Sequence, residues 1–113
     1  MSRRTEQVNS LLKEVVGEYL TEHVEFEPGT LVTVTRVDTP PDLNNANVYV
    51  SILPDNRKGS ALEVLRKLTG RMDKALFQKM AMKKVPRLHF RIDEQELYAQ
   101  EIDRILDTLD KTE

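Results

Sequence analysis

Residues 30–53 read TLVTVTRVDTPPDLNNANVYVSIL, and this stretch decides the fold class. Residues 30–37 are mostly β-branched, which predicts a strand. Residues 39–45, TPPDLNN, hold two prolines, which cannot donate to a β-ladder, so they form a loop. Residues 46–53, ANVYVSIL, alternate strictly. Ala46, Val48, Val50 and Ile52 fall on one face, and Asn47, Tyr49 and Ser51 on the other. The seven-residue connection is short enough for an antiparallel pair. One face of this sheet must be covered, while the other tolerates water.

The flanking sequence supplies the cover. In residues 4–22, Val8, Leu11, Leu12, Val15, Val16, Tyr19 and Leu20 recur at helical spacing and define an amphipathic helix. Pro28-Gly29 marks a turn before the first strand. Residues 60–84 are helical by composition. Their apolar set before Gly70 is Ala61, Val64, Leu65 and Leu68, and after it Met72, Ala75, Leu76 and Met80. At 100° per residue the mean direction of the second set is rotated from that of the first. This predicts a kink at Leu68-Thr69-Gly70, where glycine permits dihedrals that other residues resist.

Pro86 ends that stretch. Residues 87–92 alternate again, with Leu88, Phe90 and Ile92 inward and Arg87, His89 and Arg91 outward. Tyr98, Ile102, Ile105, Leu106 and Leu109 then mark a closing helix. The expected order is α-β-β-α-kink-α-β-α. It describes an α+β fold, a three-stranded sheet with helices on one face, in a single domain spanning 1–113. The first and last few residues are expected to be flexible.

The composition of the 113 residues narrows the function. There is no cysteine, which excludes a disulfide scaffold, a thiolate zinc site and a cysteine nucleophile. With 39% apolar and 32% charged residues, the chain can form one modest core. The N-terminus does not read as a signal peptide, and no run approaches the roughly 20 apolar residues of a membrane span. A cytoplasmic protein without membrane contact is therefore expected, a monomer or a small oligomer, with the monomer favoured.

The net charge of −2 conceals a segregation. Residues 57–91 hold eleven Lys or Arg against Glu63 and Asp73, a local charge of +9. The rest of the chain holds six basic and seventeen acidic residues, a charge of −11. A basic surface of this kind attracts polyanions, and the acidic remainder limits indiscriminate binding. Lys67, Arg71, Lys74 and Gln78 are spaced by four, three and four, on one helical stripe away from the leucines. Lys83, Lys84, Arg87 and Arg91 extend the basic set. With the outward strand face, this stripe is expected to form a groove for a phosphate backbone.

Tyr49 is a candidate for base stacking and His89 for phosphate contact. The ordinary alternative for any one of them is a solvated side chain, or a tyrosine packed beside its strand neighbours. Two histidines distant in sequence, without cysteine, are poor support for a zinc site, and no metal or cofactor is expected. No Ser/His/Asp spacing, phosphate loop or HExxH motif appears, and solvation explains acids such as Glu25, Glu27, Asp93, Glu94 and Glu96. An enzyme is not expected. A general RNA-binding or RNA-chaperone module, and a protein–protein adaptor using the acidic first and last helices, remain open.

The element order resembles the type II KH domain of RNA-binding proteins, which clamps nucleotides with a GXXG loop. That loop is missing, since Gly17, Gly29, Gly59 and Gly70 do not pair at its spacing. More closely, the chain resembles the ribosome-binding factor A family of bacterial small-subunit assembly factors. The resemblance covers nearly the whole chain. It rests on Arg4 with Val8, Leu12 and Val16, then on the segment 32–53 with Asp42-Leu43, Ala46 and Val48-Tyr49-Val50. Leu65, Gly70 and Met72, and VPRLHFRID at 85–93, complete it.

The family replaces GXXG with an interhelical kink, usually Ala-x-Gly. Here Leu68 stands at the alanine position, while Thr69 and Gly70 fit. The resemblance implies a non-enzymatic factor that binds free 30S subunits and assists late maturation and processing of 16S rRNA, most of all in the cold. It implies contacts near the 5′-terminal rRNA helix and the decoding-site neck, and release helped by an assembly GTPase.

Overall fold

The alternating residues 46–53 become the central strand of a three-stranded sheet in the computed structural model, which describes residues 3–80 and 85–94. Strand β1 (Leu31–Asp38) runs antiparallel to β2 (Asn45–Leu53), from Leu31 opposite Leu53 to Asp38 opposite Asn47. Strand β3 (Arg87–Ile92) lies on the other side of β2 and parallel to it, with Ala46 opposite Leu88 and Val50 opposite Ile92. A parallel neighbour needs a long crossover, and helix α2 (Lys58–Lys79) is that crossover. The sheet is therefore mixed.

Helix α1 (Arg3–His23) and α2 cover one face. Ala46, Val48, Val50 and Ile52 are buried there in one cluster with Leu12 and Val16 of α1, and Leu65, Met72 and Leu76 of α2. Truncating a fully buried leucine such as Leu65 costs on the order of 2–5 kcal/mol. Leu11, at the edge of the α1 apolar set, stays exposed.

The loops obey their local chemistry. At Pro28-Gly29 the Thr30 N–H donates to the Glu27 carbonyl at 3.0 Å, and Gly29 takes φ 83, as a type II turn requires. In the loop after β1, the Leu43 N–H donates to the Pro40 carbonyl and the Asn44 N–H to Asp42 Oδ1, each at 3.0 Å. Leu43, which follows this turn, has φ 58, a left-handed conformation costing a non-glycine residue about 1–2 kcal/mol. Packing of its side chain against the core offsets that cost.

The expected kink is corrected. Leu68, Thr69 and Gly70 lie inside one uninterrupted helix. The buried residues Ala61, Leu65, Met72, Leu76 and Met80 are spaced by four, seven, four and four, which keeps a single stripe. Val64, Leu68 and Ala75 are half-buried on its flank, so the change of phase read from them needs no break. The Thr69 hydroxyl donates to the Leu65 and Arg66 carbonyls at 3.1 and 2.9 Å. Lys79, near the inner stripe, reaches Glu18 of α1 at 3.6 Å. The helix ends at Lys79 rather than continuing to 84, and the Met80 N–H donates to the Leu76 carbonyl. Residues 81–84, the closing helix expected over 98–109 and the extreme termini lie outside the described residues.

Gly70 is exposed, and a Cβ there would meet nothing within 4 Å. Gly70→Ala is expected to raise stability by about 0.4–1 kcal/mol, because it removes unfolded-chain entropy at an ordinary helical position. Urea denaturation checks this; a loss of stability would show that residue 70 leaves helical geometry in solution.

Candidate nucleic-acid interface

The polar face of the sheet is organised by a β-bulge. Val32 and Val34 oppose Ile52 and Val50 on the buried face, but the register shifts between Val34 and Arg36, so Arg36 opposes Tyr49 and Val37 opposes Val48. Without the extra residue Thr35, the period of two would have turned Arg36 into the core. The bulge instead sets Arg36 on the outer face, its guanidinium carbon 3.7 Å from the centroid of the Tyr49 ring, a cation–π stack.

Asp93 closes this arrangement from the end of β3. Its backbone N–H donates to the Val50 carbonyl at 2.9 Å. Its Oδ2 accepts the Thr35 hydroxyl at 2.6 Å and lies 3.7 Å from Arg36 Nε. Asp93, a solvated acid by the sequence alone, is buried and joins β3 to the bulge of β1. Arg36, Thr35 and Asp93 were missed as site residues. The available signal was the spacing of three between Val34 and Val37 in a run of period two.

Cross-strand rows then assemble the outer face. Tyr49 lies between Arg36 and Arg91, and Asn47 between Asp38 and His89. Arg91 Nε donates to Asn47 Oδ1 at 2.9 Å, and His89 Nε2 lies 2.9 Å from Asn45 Oδ1. Arg87 is exposed opposite Asn45. Tyr49, Arg87, His89 and Arg91, all expected on this face, are brought together there. At the end of β3 a concavity of about 490 Å³ is lined by Arg36, Tyr49 and Arg91 from the sheet, Leu62 and Arg66 from α2, and Glu94. A larger depression between α1 and β1 includes Glu14, Glu18 and Glu22 in its lining, which does not suit a polyanion.

Lys67, Arg71, Lys74 and Gln78 are all exposed on α2. They lie roughly 180–240° around the helix from the buried Leu65, so they point away from the sheet. The single groove expected from this stripe and the strand face does not form: the two surfaces lie on opposite sides of a two-layer structure. Lys67 pairs with Glu63 at 3.1 Å, a surface pair of little energetic weight. Arg71 and Lys74 have no ion pair among the described residues. Lys83 and Lys84 lie outside the described residues.

Between the two surfaces, Asp73 faces the edge of β3. Its Oδ1 is buried without a hydrogen-bond partner. Burial pushes its carboxyl above the usual carboxylate value, against the opposing pull of the Arg87 and His89 charges.

A mixed sheet backed by helices on one side, with arginines on the other, defines a small α+β domain that presents charged surfaces. Among the described residues no group of three or more acids or histidines is placed to hold a metal, and no helix is long and apolar enough to cross a membrane. The family model for ribosome-binding factor A matches residues 4–106, and the chain belongs to that family of non-enzymatic assembly factors. It is 33% identical to ribosome-binding factor A of Akkermansia muciniphila over 111 residues, 98% of this chain and 88% of that protein. With the Chlamydia pneumoniae protein the identity is 35% over 96 residues, 82% of this chain and 80% of that one.

The fold is similar to the crystal structure of ribosome-binding factor A from Thermus thermophilus, with a TM-score of 0.69 and 25% identity over 78% of this chain and 94% of that one. It is also similar to a homology model of the Thermus thermophilus protein fitted into a cryo-EM map of a 30S–RbfA complex. There the TM-score is 0.64 and the identity 27%, over 74% and 88% of the two chains.

Asp93→Ala removes the shorter of two acceptors of the Thr35 hydroxyl, which keeps the Tyr49 carbonyl at 3.2 Å, and the anion beside Arg36. Thermal denaturation is expected to show a loss on the order of 1.5–3 kcal/mol, the weight of a hydrogen bond to a charged group. Asp73→Asn has the opposite sign at neutral pH. Because the folded carboxyl titrates above its ordinary value of 3.8, the native state binds more protons just above pH 3.8. Stability through this group therefore falls as pH rises through that window. The Asn variant is expected to be more stable than the parent at pH 7, with the gain shrinking as pH falls to 3.8, read from denaturation midpoints across pH.

Proposed function

We propose that this protein binds free small (30S) ribosomal subunits and assists the late maturation and processing of 16S rRNA. The observation that supports this most is the family match over 4–106. The similar Thermus thermophilus model, described as fitted into a map of a 30S–RbfA complex, is consistent with it. The chain acts as one domain over 1–113, in the cytoplasm and as a monomer, and matters most in the cold. It contacts rRNA near the 5′-terminal helix and the neck at the decoding site, and an assembly GTPase helps release it.

In this reading two surfaces share the work. Lys67, Arg71, Lys74 and Gln78 form an exposed stripe whose charges meet phosphates, with Lys83 and Lys84 as further candidates from the sequence. Arg87, Arg91, His89 and Tyr49 form the second surface on the sheet. Two surfaces on opposite sides can touch two rRNA segments at once and hold them at a fixed separation. A binder shifts a conformational equilibrium only by its differential affinity for the two states. The mature arrangement is thus the one in which both segments meet the protein together.

Sedimentation with isolated small subunits, large subunits and whole ribosomes at two salt concentrations tests this. Selective binding to free small subunits is expected, with log K falling against log salt at a slope near about −3 to −4 for roughly four phosphate contacts. Lys67→Glu/Arg71→Glu/Lys74→Glu and Arg87→Glu/Arg91→Glu are each expected to weaken it. Equal binding to every particle would favour a general RNA binder, and no binding at low salt would favour a protein–protein adaptor.

A further inference from the structure

The concavity at the end of β3 has more structure than a phosphate-attracting surface needs. Its floor is the Arg36 guanidinium laid on the Tyr49 ring at 3.7 Å. Underneath, buried Asp93 holds the bulge at Thr35 and faces Arg36 Nε. Arg36 is thus fixed on one side by an aromatic ring and along its edge by a carboxylate. Its side chain is nonetheless 44% exposed. A lysine would serve to attract phosphate; a planar, oriented cation with an open face is what an unpaired base stacks upon.

Around this floor stand two further arginines from different elements, Arg91 on β3 and Arg66 on α2. Arg91 is oriented through Nε by Asn47, which leaves its terminal nitrogens free to fork onto a phosphate. Opposing these three cations are Asp93, beneath Arg36, and Glu94 at the rim. The balance is one positive charge, matching one phosphodiester. The volume of about 490 Å³ lies within the range of small-ligand sites. A base inside a duplex offers no free face, so stacking here selects single strands.

We propose that Arg36, stacked on Tyr49, and the flanking Arg66 and Arg91 form a site for one unpaired nucleotide of single-stranded RNA. The base lies on the open face of the Arg36 guanidinium, and its phosphate lies between Arg66 and Arg91. This deepens the rRNA-binding function proposed above and rests on it. It gives the sheet surface a preference for an unpaired segment, where the α2 stripe reads only phosphate charge.

The test is an NMR titration of the arginine Nε–Hε signals with single-stranded hexaadenylate. A self-complementary RNA duplex of equal phosphate number and inorganic phosphate serve as separate probes. Hexaadenylate is expected to shift the Arg36, Arg66 and Arg91 signals. Arg36→Lys keeps the charge facing Asp93 but removes the plane, and is expected to weaken hexaadenylate binding roughly ten-fold or more, the loss of one stacked base. Arg66→Gln, on the surface of α2, is expected to weaken it as well, and melting curves establish that both variants fold.

Hexaadenylate binding unaffected by Arg36→Lys overturns the proposal, as does a duplex or inorganic phosphate that moves the same signals with equal affinity. Sedimentation with free 30S subunits separates the two levels. If subunits bind while hexaadenylate does not, only the nucleotide site fails. If neither subunits nor hexaadenylate bind, the ribosomal function fails with it.

Discussion

The structure depends on the alternation of β2. Ala46, Val48, Val50 and Ile52 must leave water, and Asn47, Tyr49 and Ser51, on the opposite face, need not. This requirement brings both helices to one side and leaves the other side of the sheet open. As the central strand, β2 also sets the registers of β1 and β3. Every cross-strand row on the open face is aligned on one of its residues.

The bulge at Thr35 adapts β1 to that constraint. Val32, Val34 and Val37 cannot all face the core in a regular strand, because the interval from 34 to 37 is odd. One inserted residue buries Val37 and turns Arg36 outward, at the cost of a local break in pairing. Asp93 compensates the break by accepting the Thr35 hydroxyl. A buried carboxylate is costly unless paired and hydrogen-bonded. Here it has both a hydroxyl donor and a facing guanidinium, so a correction made for packing also orients the arginine that stacks on Tyr49.

Charge follows a different logic. The basic residues of 57–91 are contiguous in sequence, but α2 and β3 distribute them over two sides of a two-layer structure. Near-neutral total charge then coexists with two basic surfaces and an acidic α1 flank, where Glu14, Glu18 and Glu22 stand beside β1. Such a distribution restricts the orientations in which a polyanion can approach.

The sequence by itself determined the local periodicities: α1, all three strands, the Pro28-Gly29 turn and the exposure of Lys67, Arg71, Lys74 and Gln78. Those follow from spacing, which the chain carries in one dimension. Resemblance in the DL, VYV and VPRLHF segments likewise pointed to the ribosome-binding factor A family. Only the tertiary structure decided the rest. The phase change around Gly70 looked like a kink because flank residues such as Val64 and Ala75 were counted with the central stripe, and only packing against α1 and the sheet separates flank from centre. Asp93 looked solvated because nothing near it in sequence needs a carboxylate; its partners, Thr35 and Arg36, are brought to it by strand pairing across more than fifty residues. The helix stripe and the strand face looked like one groove because a sequence records which residues share a face of an element. Which faces meet is set by burial of the apolar sides, and that burial turned these two basic faces apart.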